Sequence, residues 1–192
     1  MTQALEQRIY TPEEYLELEI ASETRSEYCN GAIIPMTGGT PDHNELAINL
    51  AALLKSALRG KPYRTFATDQ RLWISERNLY TYPDVMVIKK PLQLQTGRTD
   101  TVMNPCFIAE ILSKSTQDYD HGDKFAAYRT IESFHEYLLI DQYNIRVEHY
   151  VKTAANQWLL SEYTDTSTIL SLSTFDAQIS IVDLYENIEI NS

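Results

Sequence analysis

Two carboxylates, each carried by a short apolar stretch, are the residues whose type and spacing point most directly to chemistry. Asp84 lies in residues 82–88 and Glu110 in residues 107–113, and both stretches have the composition of buried strands. An ionised carboxylate in such a strand is costly unless a partner compensates its charge. A divalent cation between neighbouring strands would remove both this cost and the mutual repulsion. The alternatives are that each carboxylate pairs with Arg or Lys, or lies at an exposed strand end.

Two further polar residues, Glu27 and His43, either face solvent or contribute to such a site. Asn30-Gly31 is the preferred pair for a type I′ turn, so residues 25–36 are predicted to form a hairpin with Glu27 on its first strand. His43 belongs to the first turn of a predicted helix, and a helix N-terminus favours phosphate. The sequence alone leaves both alternatives open for each residue.

Capping patterns place two helices in the first third of the chain. Residues 11–14 (TPEE) have the order of an N-cap threonine, a first-turn proline and a capping-box glutamate. The second helix is predicted to begin at Asp42 as its N-cap, with Glu45 as the capping-box partner. Apolar residues at helical spacing continue from there to the vicinity of Gly60, so most of this helix belongs to the core.

The rest of the pattern predicts strands, one further helix and a long polar loop. The helix covers residues 120–130, and the loop of residues 89–104 is either mobile or lies over the site. Residues 179–185 fit a short strand or a helical turn equally well. Strands are predicted at residues 63–68, 69–74, 82–88, 107–113, 136–141, 146–151, 157–163 and 169–172. This order indicates an α/β (α+β) plan, with a mixed central sheet flanked by helices and additional antiparallel strands.

The composition is that of a soluble globular protein, and we expect one domain over residues 1–192 with its core at about residues 10–185. Hydrophobic residues make up 43% of the chain and charged residues 22%. No apolar run approaches the roughly 20 residues of a membrane span, and residues 1–10 do not have the pattern of a signal peptide. With only Cys29 and Cys106, we expect no disulfide framework and a reducing cytoplasmic compartment.

The formal net charge of −11 and the pI of about 4.8 argue against a simple basic surface for nucleic acid. They do not exclude a nuclease, because bound metal or a local positive groove can offset an acidic total. They do predict weak nucleic-acid binding that is sensitive to salt. A Gly-x-Ser-x-Gly elbow and zinc-finger spacing are both absent from the sequence.

The pattern around the two carboxylates resembles known nucleases. Pro83-Asp84 on one strand and Glu110 on the next match the first two elements of the PD-(D/E)XK nuclease superfamily. The wider pattern resembles the restriction-endonuclease-like Uma-two family, which is abundant in cyanobacteria and was long filed as a domain of unknown function. The resemblance covers residues 10–184 and is most specific over residues 110–128. The motifs that carry it are Arg25-x-Glu27-Tyr28-x-Asn30-Gly31, Tyr82-Pro83-Asp84-Val85, Glu110-Ile111-Leu112-Ser113-x-Ser115-Thr116-x-Asp118-Tyr119-Asp120 and Lys124-Phe125-x-x-Tyr128.

This resemblance implies a restriction-endonuclease-like core and a metal-dependent endonuclease that hydrolyses DNA phosphodiester bonds. Asp84 and Glu110 would hold Mg²⁺ or Mn²⁺ through hard oxygen ligands, with the backbone carbonyl of Ile111 as a third ligand. Glu27 would complete the site from its hairpin, directly or through water. Cutting both strands of DNA would favour a homodimer by symmetry.

The active-site lysine is where the sequence departs from the superfamily pattern. The usual lysine stands two residues after the acid, and that position is Leu112 in this chain. Relatives in the resembled family carry the lysine on the following helix, which favours Lys124, whereas Lys114 is the competing candidate in a turn. If neither lysine reaches the site, the fold would serve only for binding.

Four residues remain as weaker candidates. Asp69, His43 and Gln70 would lie around the metal ligands, although Asp69 could simply cap a strand. Tyr128 follows Lys124 by one helical turn, so it either contacts substrate or packs in the core.

Three functions are therefore open. They are a metal-dependent DNA endonuclease, a nuclease-fold module that binds nucleic acid or protein without cleavage, and a metal-dependent hydrolase of another phosphoester.

Overall fold

The computed structural model describes residues 8–190 as two sheets, a two-stranded ribbon and helices packed between and beside them. The strands are β1 Ser26–Cys29, β2 Ala32–Pro35, β3 Tyr63–Ala67, β4 Arg71–Ile74, β5 Leu79–Thr81, β6 Val85–Lys89, β7 Thr101–Val102, β8 Pro105–Leu112, β9 Glu136–Asp141, β10 Val147–Ala154, β11 Gln157–Tyr163, β12 Ile169–Leu172 and β13 Ala177–Ser180. The helices are α1 Pro12–Ala21, α2 Pro41–Ala57, α3 Gln117–Tyr119, α4 Phe125–Tyr128 and α5 Ile181–Leu184, with a 3₁₀ turn at Ser75–Arg77 and a π turn at Asp120–Lys124.

The six-stranded sheet has the order β11-β10-β9-β8-β6-β3 and forms the centre of the fold. Its β8–β9 pair is parallel and the other pairs are antiparallel, so the sheet is mixed. This mixed sheet with flanking helices confirms the predicted α+β class. The second sheet has the order β2-β1-β5-β4-β7, and the Asn30-Gly31 hairpin forms its first edge.

Period-2 alternation along β6 and β8 divides the core between the two faces of the six-stranded sheet. Val85 and Ala109 face a cluster that includes α2, the β12–β13 ribbon and α5. Met86 and Ile108 face a second cluster that includes α4 and residues of the five-stranded sheet. Glu110 has the same parity as Ile108, so it faces the side on which the second sheet and α4 lie.

The N-terminus of α2 differs from the prediction. Its N-cap is Thr40, whose Oγ1 accepts a hydrogen bond from the His43 backbone amide at 3.1 Å, and Asp42 lies inside the first turn. The reason is Pro41, which lacks an N–H and has a φ suited to the first helical position, so the residue before it takes the cap. The predicted capping box with Glu45 is therefore wrong, whereas the box at Thr11 and Glu14 of α1 is present.

The stretch predicted as one strand over residues 82–88 is a junction followed by a strand. The chain leaves the five-stranded sheet after β5, crosses through residues 82–84 and enters the six-stranded sheet at Val85. The proline at position 83 cannot donate a ladder hydrogen bond, which suits a link between sheets better than a strand interior. Asp84 therefore stands at the point where the chain passes from one sheet to the other.

The long polar loop pairs with the five-stranded sheet instead of covering a site. Within it, β7 lies parallel to β4, and the Gln95 side chain donates to the Tyr80 hydroxyl at 2.7 Å. This pairing anchors residues 89–104 beside β4 and β5, so the predicted position over the site is wrong.

Three smaller points, one difference and two agreements, concern the other predictions. The helix predicted at residues 120–130 begins earlier, at Gln117, and contains the π turn. The ambiguous C-terminal stretch contains both of the predicted alternatives, the end of β13 and the helix α5. Cys29 and Cys106 are both free thiols, as expected.

Residues 8–190 contain no helix whose length and apolar character would allow it to cross a bilayer. The expectation about a signal peptide falls largely on residues 1–7, which lie outside the described residues.

The position of the α2 cap can be tested by two matched substitutions. Thr40→Ala removes the side-chain acceptor of the N-cap and the hydrogen bond that the same hydroxyl donates to Gln142 Oε1, and we expect a loss of about 1–2 kcal/mol in the free energy of unfolding. Asp42→Ala should cost less, because Asp42 contributes only through its charge near the helix N-terminus. Urea unfolding of both variants measures the difference, and a larger loss for Asp42→Ala would contradict the assignment of the cap.

Candidate functional site

Asp84 and Glu110 meet where β6 begins beside β8. The Oδ2 atom of Asp84 accepts a hydrogen bond from the Ile111 amide at 2.8 Å, and the Asp84 amide donates to Glu110 Oε2 at 3.2 Å. The β6–β8 register stops at Val85 and Ala109, so the Asp84 side chain takes the place of the next strand residue. Because a strand residue directs its amide and carbonyl to the same edge, the Ile111 carbonyl points to the edge of β8 beside which Asp84 lies.

Lys124 is the lysine that the structure brings to these carboxylates. Its Nζ atom lies 3.2 Å from Glu110 Oε1, 3.4 Å from Glu27 Oε1 and 3.3 Å from Asp120 Oδ1. The side chain is buried. Lys114 is exposed, and its Nζ lies 5.3 Å from the centroid of the Tyr143 ring.

The π turn positions Lys124. It lies between α3 and α4 and brings Asp120 and Lys124, four residues apart, onto the face that looks toward the sheet. Tyr128 follows one turn later, and its hydroxyl donates to Glu110 Oε1 at 2.5 Å. Tyr128 is fully buried in the core, so the structure gives it contact with the carboxylate and no surface for substrate.

Glu27 reaches the site from the five-stranded sheet. It is buried on β1, where it accepts a short hydrogen bond from the Thr81 hydroxyl and faces Lys124. Thr81 is the last residue of β5, next to the junction that carries Asp84. Of the two alternatives for Glu27, the structure shows the one in which it belongs to the cluster and not to a solvent-facing strand.

His43 contacts Asp84 from the first turn of α2. Its Nε2 atom lies 3.3 Å from Asp84 Oδ2, and its Nδ1 is buried without a partner among the described residues. The ring has room only because residue 39 is glycine, since a Cβ there would lie 2.7 Å from His43 Nδ1. Burial opposes protonation of His43, but the hydrogen bond and charge of Asp84 outweigh it and raise the pKa of the imidazole.

Asp69 and Gln70 lie outside the cluster, although the sequence made them weaker candidates. Asp69 pairs with Arg25 at 2.7 Å, and Gln70 donates to the Asp100 carbonyl at 2.8 Å. The left-handed conformation of Thr68 (φ of 53°) produces the predicted bend before them and turns the chain toward the second sheet.

The sequence reasoning missed the contribution of Asp120. Asp120 is 2% exposed, and among residues 8–190 its Oδ1 has no hydrogen-bond partner and only the ion pair with Lys124. Its place four residues before Lys124 is the usual spacing for neighbours on one helix face, and this spacing was the available signal.

The cluster has more negative than positive charge. Three carboxylates, from Glu110, Asp120 and Glu27, surround the Lys124 ammonium. The fourth, from Asp84, contacts His43, so full ionisation of the four carboxyl groups, the lysine and the imidazole would leave two negative charges in excess. Burial raises the pKa of Glu110 to about 8, and the charges of Asp84 and Asp120 add to this, although Lys124 opposes it. The buried surplus of hard oxygen donors is the chemical environment that accommodates a divalent cation.

Lys124 and Asp84 keep their charged forms. Burial alone would lower the pKa of Lys124, but the charges of Glu110, Glu27 and Asp120 raise it well above its ordinary value. Burial likewise opposes ionisation of Asp84, and the hydrogen bond and charge of His43 overcome it and lower the Asp84 pKa.

The metal ligands implied by the resemblance fit a magnesium site in which the protein supplies few ligands. Within residues 8–190, no three Asp, Glu, His or Cys side chains form a ready-made metal cluster. Mg²⁺ is commonly bound through one or two carboxylates plus water and substrate phosphate, so it does not require such a cluster. Asp84 and Glu110 supply two carboxylates, and the Ile111 carbonyl faces the same edge.

A cavity of about 550 Å³ opens above the cluster. Its floor contains Asp84, Glu110 and Lys124, and its wall includes the hairpin end, the start of α2 and a hydroxyl-rich turn. The lining residues outside the cluster include Pro35, Met36, Gly39, Thr40, Ser113, Lys114, Ser115, Thr116, Tyr119 and Tyr143.

Comparison with known proteins shows the class of fold and then the family. The crystal structure of "a putative nuclease belonging to DUF820" from Anabaena variabilis superposes with a TM-score of 0.74 at 20% identity, covering 92% of this chain and 97% of that one. The fold is therefore the restriction-endonuclease-like fold of that neighbour. Residues 12–183 match the Uma2 family, described as "Putative restriction endonuclease". The chain belongs to this family, which confirms the resemblance drawn from its motifs.

Two relatives from Synechocystis sp. are similar over most of their length. The uncharacterized protein sll1609 is 45% identical over 155 residues, which cover 81% of this chain and 88% of the relative. The uncharacterized protein slr1290 is 30% identical over 178 residues, with 93% and 92% coverage.

The structural role of the buried lysine can be tested by stability. Lys124→Met should lower the free energy of unfolding by about 3–5 kcal/mol, because it leaves buried carboxylates without their counter-charge. Lys114→Met changes the same side chain at an exposed position and should stay within about 0.5 kcal/mol of wild type. Guanidinium unfolding of both variants gives the comparison, and equal losses would show that Lys124 is not the compensating charge.

The raised pKa of Glu110 predicts a pH-dependent stability. A carboxyl with a pKa of 4.5 when unfolded and about 8 when folded stabilises the protein below the lower value, and this contribution disappears as the pH rises through the higher one. Glu110→Gln removes the titrating group, so its melting temperature relative to wild type should rise by several degrees between acidic and alkaline pH. Metal-free thermal melts would measure this, and a constant difference would contradict the raised pKa.

Proposed function

We propose that this protein is a metal-dependent endonuclease that hydrolyses phosphodiester bonds in DNA. The observation that carries the proposal is the convergence of Asp84, Glu110 and Lys124 on the floor of one cavity, although the lysine comes from a helix and not from the strand. Membership in the Uma2 family supports a nucleic-acid substrate.

Asp84, Glu110 and the Ile111 carbonyl would hold Mg²⁺ or Mn²⁺. When bound, the metal would polarise the scissile phosphate and lower the pKa of a coordinated water. The protein fixes these ligands before the metal arrives, since the Tyr128 hydroxyl and the Asp84 amide hold the two oxygens of Glu110 separately. The Ile111 amide and His43 Nε2 both contact Oδ2 of Asp84, and so they fix this carboxylate through one of its oxygens.

Lys124 would act as a fixed cation. Its raised pKa keeps the ammonium charged at neutral pH, so it serves to orient the attacking water and to stabilise the negative charge that develops on the phosphorane. Glu27 and Asp120 also contact the ammonium, at 3.4 Å and 3.3 Å, which keeps its position defined.

The cavity wall would contact the DNA backbone. Ser113, Ser115 and Thr116 present hydroxyl groups, and Lys114 supplies an exposed positive charge at the rim. With a net charge of −11, the protein would bind DNA weakly and with strong dependence on salt. Cleavage of both strands would require two sites related by twofold symmetry, which a homodimer supplies, and a monomeric mass in solution would count against it.

A binding module without catalysis is the second candidate. The absence of a ready-made metal cluster within residues 8–190 and the complete engagement of Lys124 in ion pairs favour it.

Plasmid cleavage with Mg²⁺ or Mn²⁺ distinguishes the two candidates. We expect nicking by wild type, its loss with EDTA, and a decrease of about 10²-fold or more for Asp84→Asn, Glu110→Gln and Lys124→Met. Lys55→Met changes an exposed lysine of α2 outside the cavity and serves as the matched control, with activity expected at the wild-type level.

Each other outcome has a definite meaning. Cleavage that survives all three substitutions would place the activity elsewhere or in a contaminant. If Lys114→Met abolished cleavage and Lys124→Met retained it, the active-site lysine would be Lys114 and not Lys124. No cleavage by wild type, with Mn²⁺ still bound in a titration that Asp84→Asn abolishes, would favour the binding module.

A further inference from the structure

A second cavity lies at the other end of the strands that carry the carboxylates. It has a volume of about 500 Å³ and is lined by Lys89 at the end of β6 and by Cys106 at the start of β8. Cys106 precedes Glu110 by four residues, so at roughly 3.3 Å per residue the two cavities are separated by roughly 13 Å along β8. The cavity therefore belongs to a different surface from the proposed nuclease site.

The charge of this cavity is opposite to that of the protein. Lys89, Lys90 and Lys152 line it, and neither Asp nor Glu is among its lining residues. The whole chain has 27 acidic and 16 basic residues, so a cavity whose charged lining residues are all lysines is not expected from the composition alone. In the described part of the chain, none of these three lysines forms a salt bridge.

Neutral hydrogen-bonding groups and one aromatic ring complete the lining. Tyr63, Asn104 and Ser133 also line it, and their side chains donate to the carbonyls of Thr174, Pro91 and Pro105 within the protein. The three ammonium groups are therefore the groups of this cavity suited to an oxyanion. The nearby carboxylate of Glu136 is buried behind Ser173 and Thr174 and is paired with His149.

The walls are fixed by buried interactions and not only by loop packing. Glu136 is fully buried and accepts hydrogen bonds from the backbone amides of Ser173 at 3.0 Å and Thr174 at 2.9 Å. His149 lies 2.7 Å from the same carboxylate. On the opposite wall, the Asn104 side chain donates to the Pro91 carbonyl at 3.1 Å. A cavity with anchored walls loses little conformational entropy when a ligand binds.

We propose that this cavity binds a phosphorylated ligand, with Lys89, Lys90 and Lys152 neutralising its phosphate groups. The volume lies within the range of roughly 300–1,000 Å³ found for small-molecule sites, which fits a nucleotide or one nucleotide unit of a strand. A free nucleotide and a nucleic-acid strand both carry the phosphate group that the lysines would bind. The proposal is independent of cleavage at the carboxylate site.

The test is equilibrium binding of inorganic pyrophosphate, ADP and a short single-stranded oligonucleotide by isothermal titration calorimetry. EDTA is included, so that metal at the carboxylates cannot contribute. We expect wild type to bind, and the triple substitution of Lys89, Lys90 and Lys152 to Ala to weaken binding about tenfold or more. The matched control removes three other exposed charges, with Lys55, Arg59 and Arg77 changed to Ala, and should bind as wild type does. Thermal melts show whether each variant is folded.

The relative affinities for the three probes show whether the natural ligand is a free nucleotide or a nucleic-acid strand. Tighter binding of ADP than of the oligonucleotide would indicate a free nucleotide, and the reverse would indicate a nucleic-acid strand. Absence of binding of all three probes by wild type would overturn the proposal. Equal weakening in the cavity variant and the charge-matched control would also overturn it, because the effect would then be one of net charge.

Discussion

The burial of one ammonium group among carboxylates is the interaction on which this site depends. Lys124 holds Glu110, Glu27 and Asp120 together in a region where any one of these charges alone would be unfavourable. The compensation is incomplete, since carboxylates outnumber the lysine. The fold therefore gathers four carboxyl groups around one lysine and one histidine at the base of a cavity, which is a costly arrangement for a purely structural core and a suitable one for a cation.

The site requires both sheets and the π turn at Asp120–Lys124, between α3 and α4. Glu27 comes from the five-stranded sheet, Glu110 from the six-stranded sheet, and Asp84 from the junction that links them. Because the polypeptide passes from one sheet to the other directly beside the cluster, the position of the Asp84 carboxylate is fixed by the packing of the two sheets. His43, on α2, also contacts the Asp84 carboxylate.

The sequence was sufficient for the class of fold, the family and the residues that meet at the cavity floor. Local signals were reliable where a single interaction decides the structure, as at the Thr11 cap and the Asn30-Gly31 turn. They failed where two local signals competed, because Pro41 transferred the α2 cap from Asp42 to Thr40.

Features that arise from long-range packing were beyond sequence reasoning. The division of the strands between two sheets, and the anchoring of residues 89–104 along β4, depend on contacts between distant segments. Asp69 and Gln70 were weaker candidates for the surroundings of the metal ligands, yet the bend at Thr68 directs them away. The place of the lysine has a further consequence, for the detection of such proteins: a search that requires a lysine two residues after the acid would miss this chain, because Leu112 stands there and Lys124 reaches Glu110 from the π turn. A gap of one residue within Asp120–Lys124 would separate sequences with and without this turn, so alignments across it should be anchored on Glu110 and Tyr128.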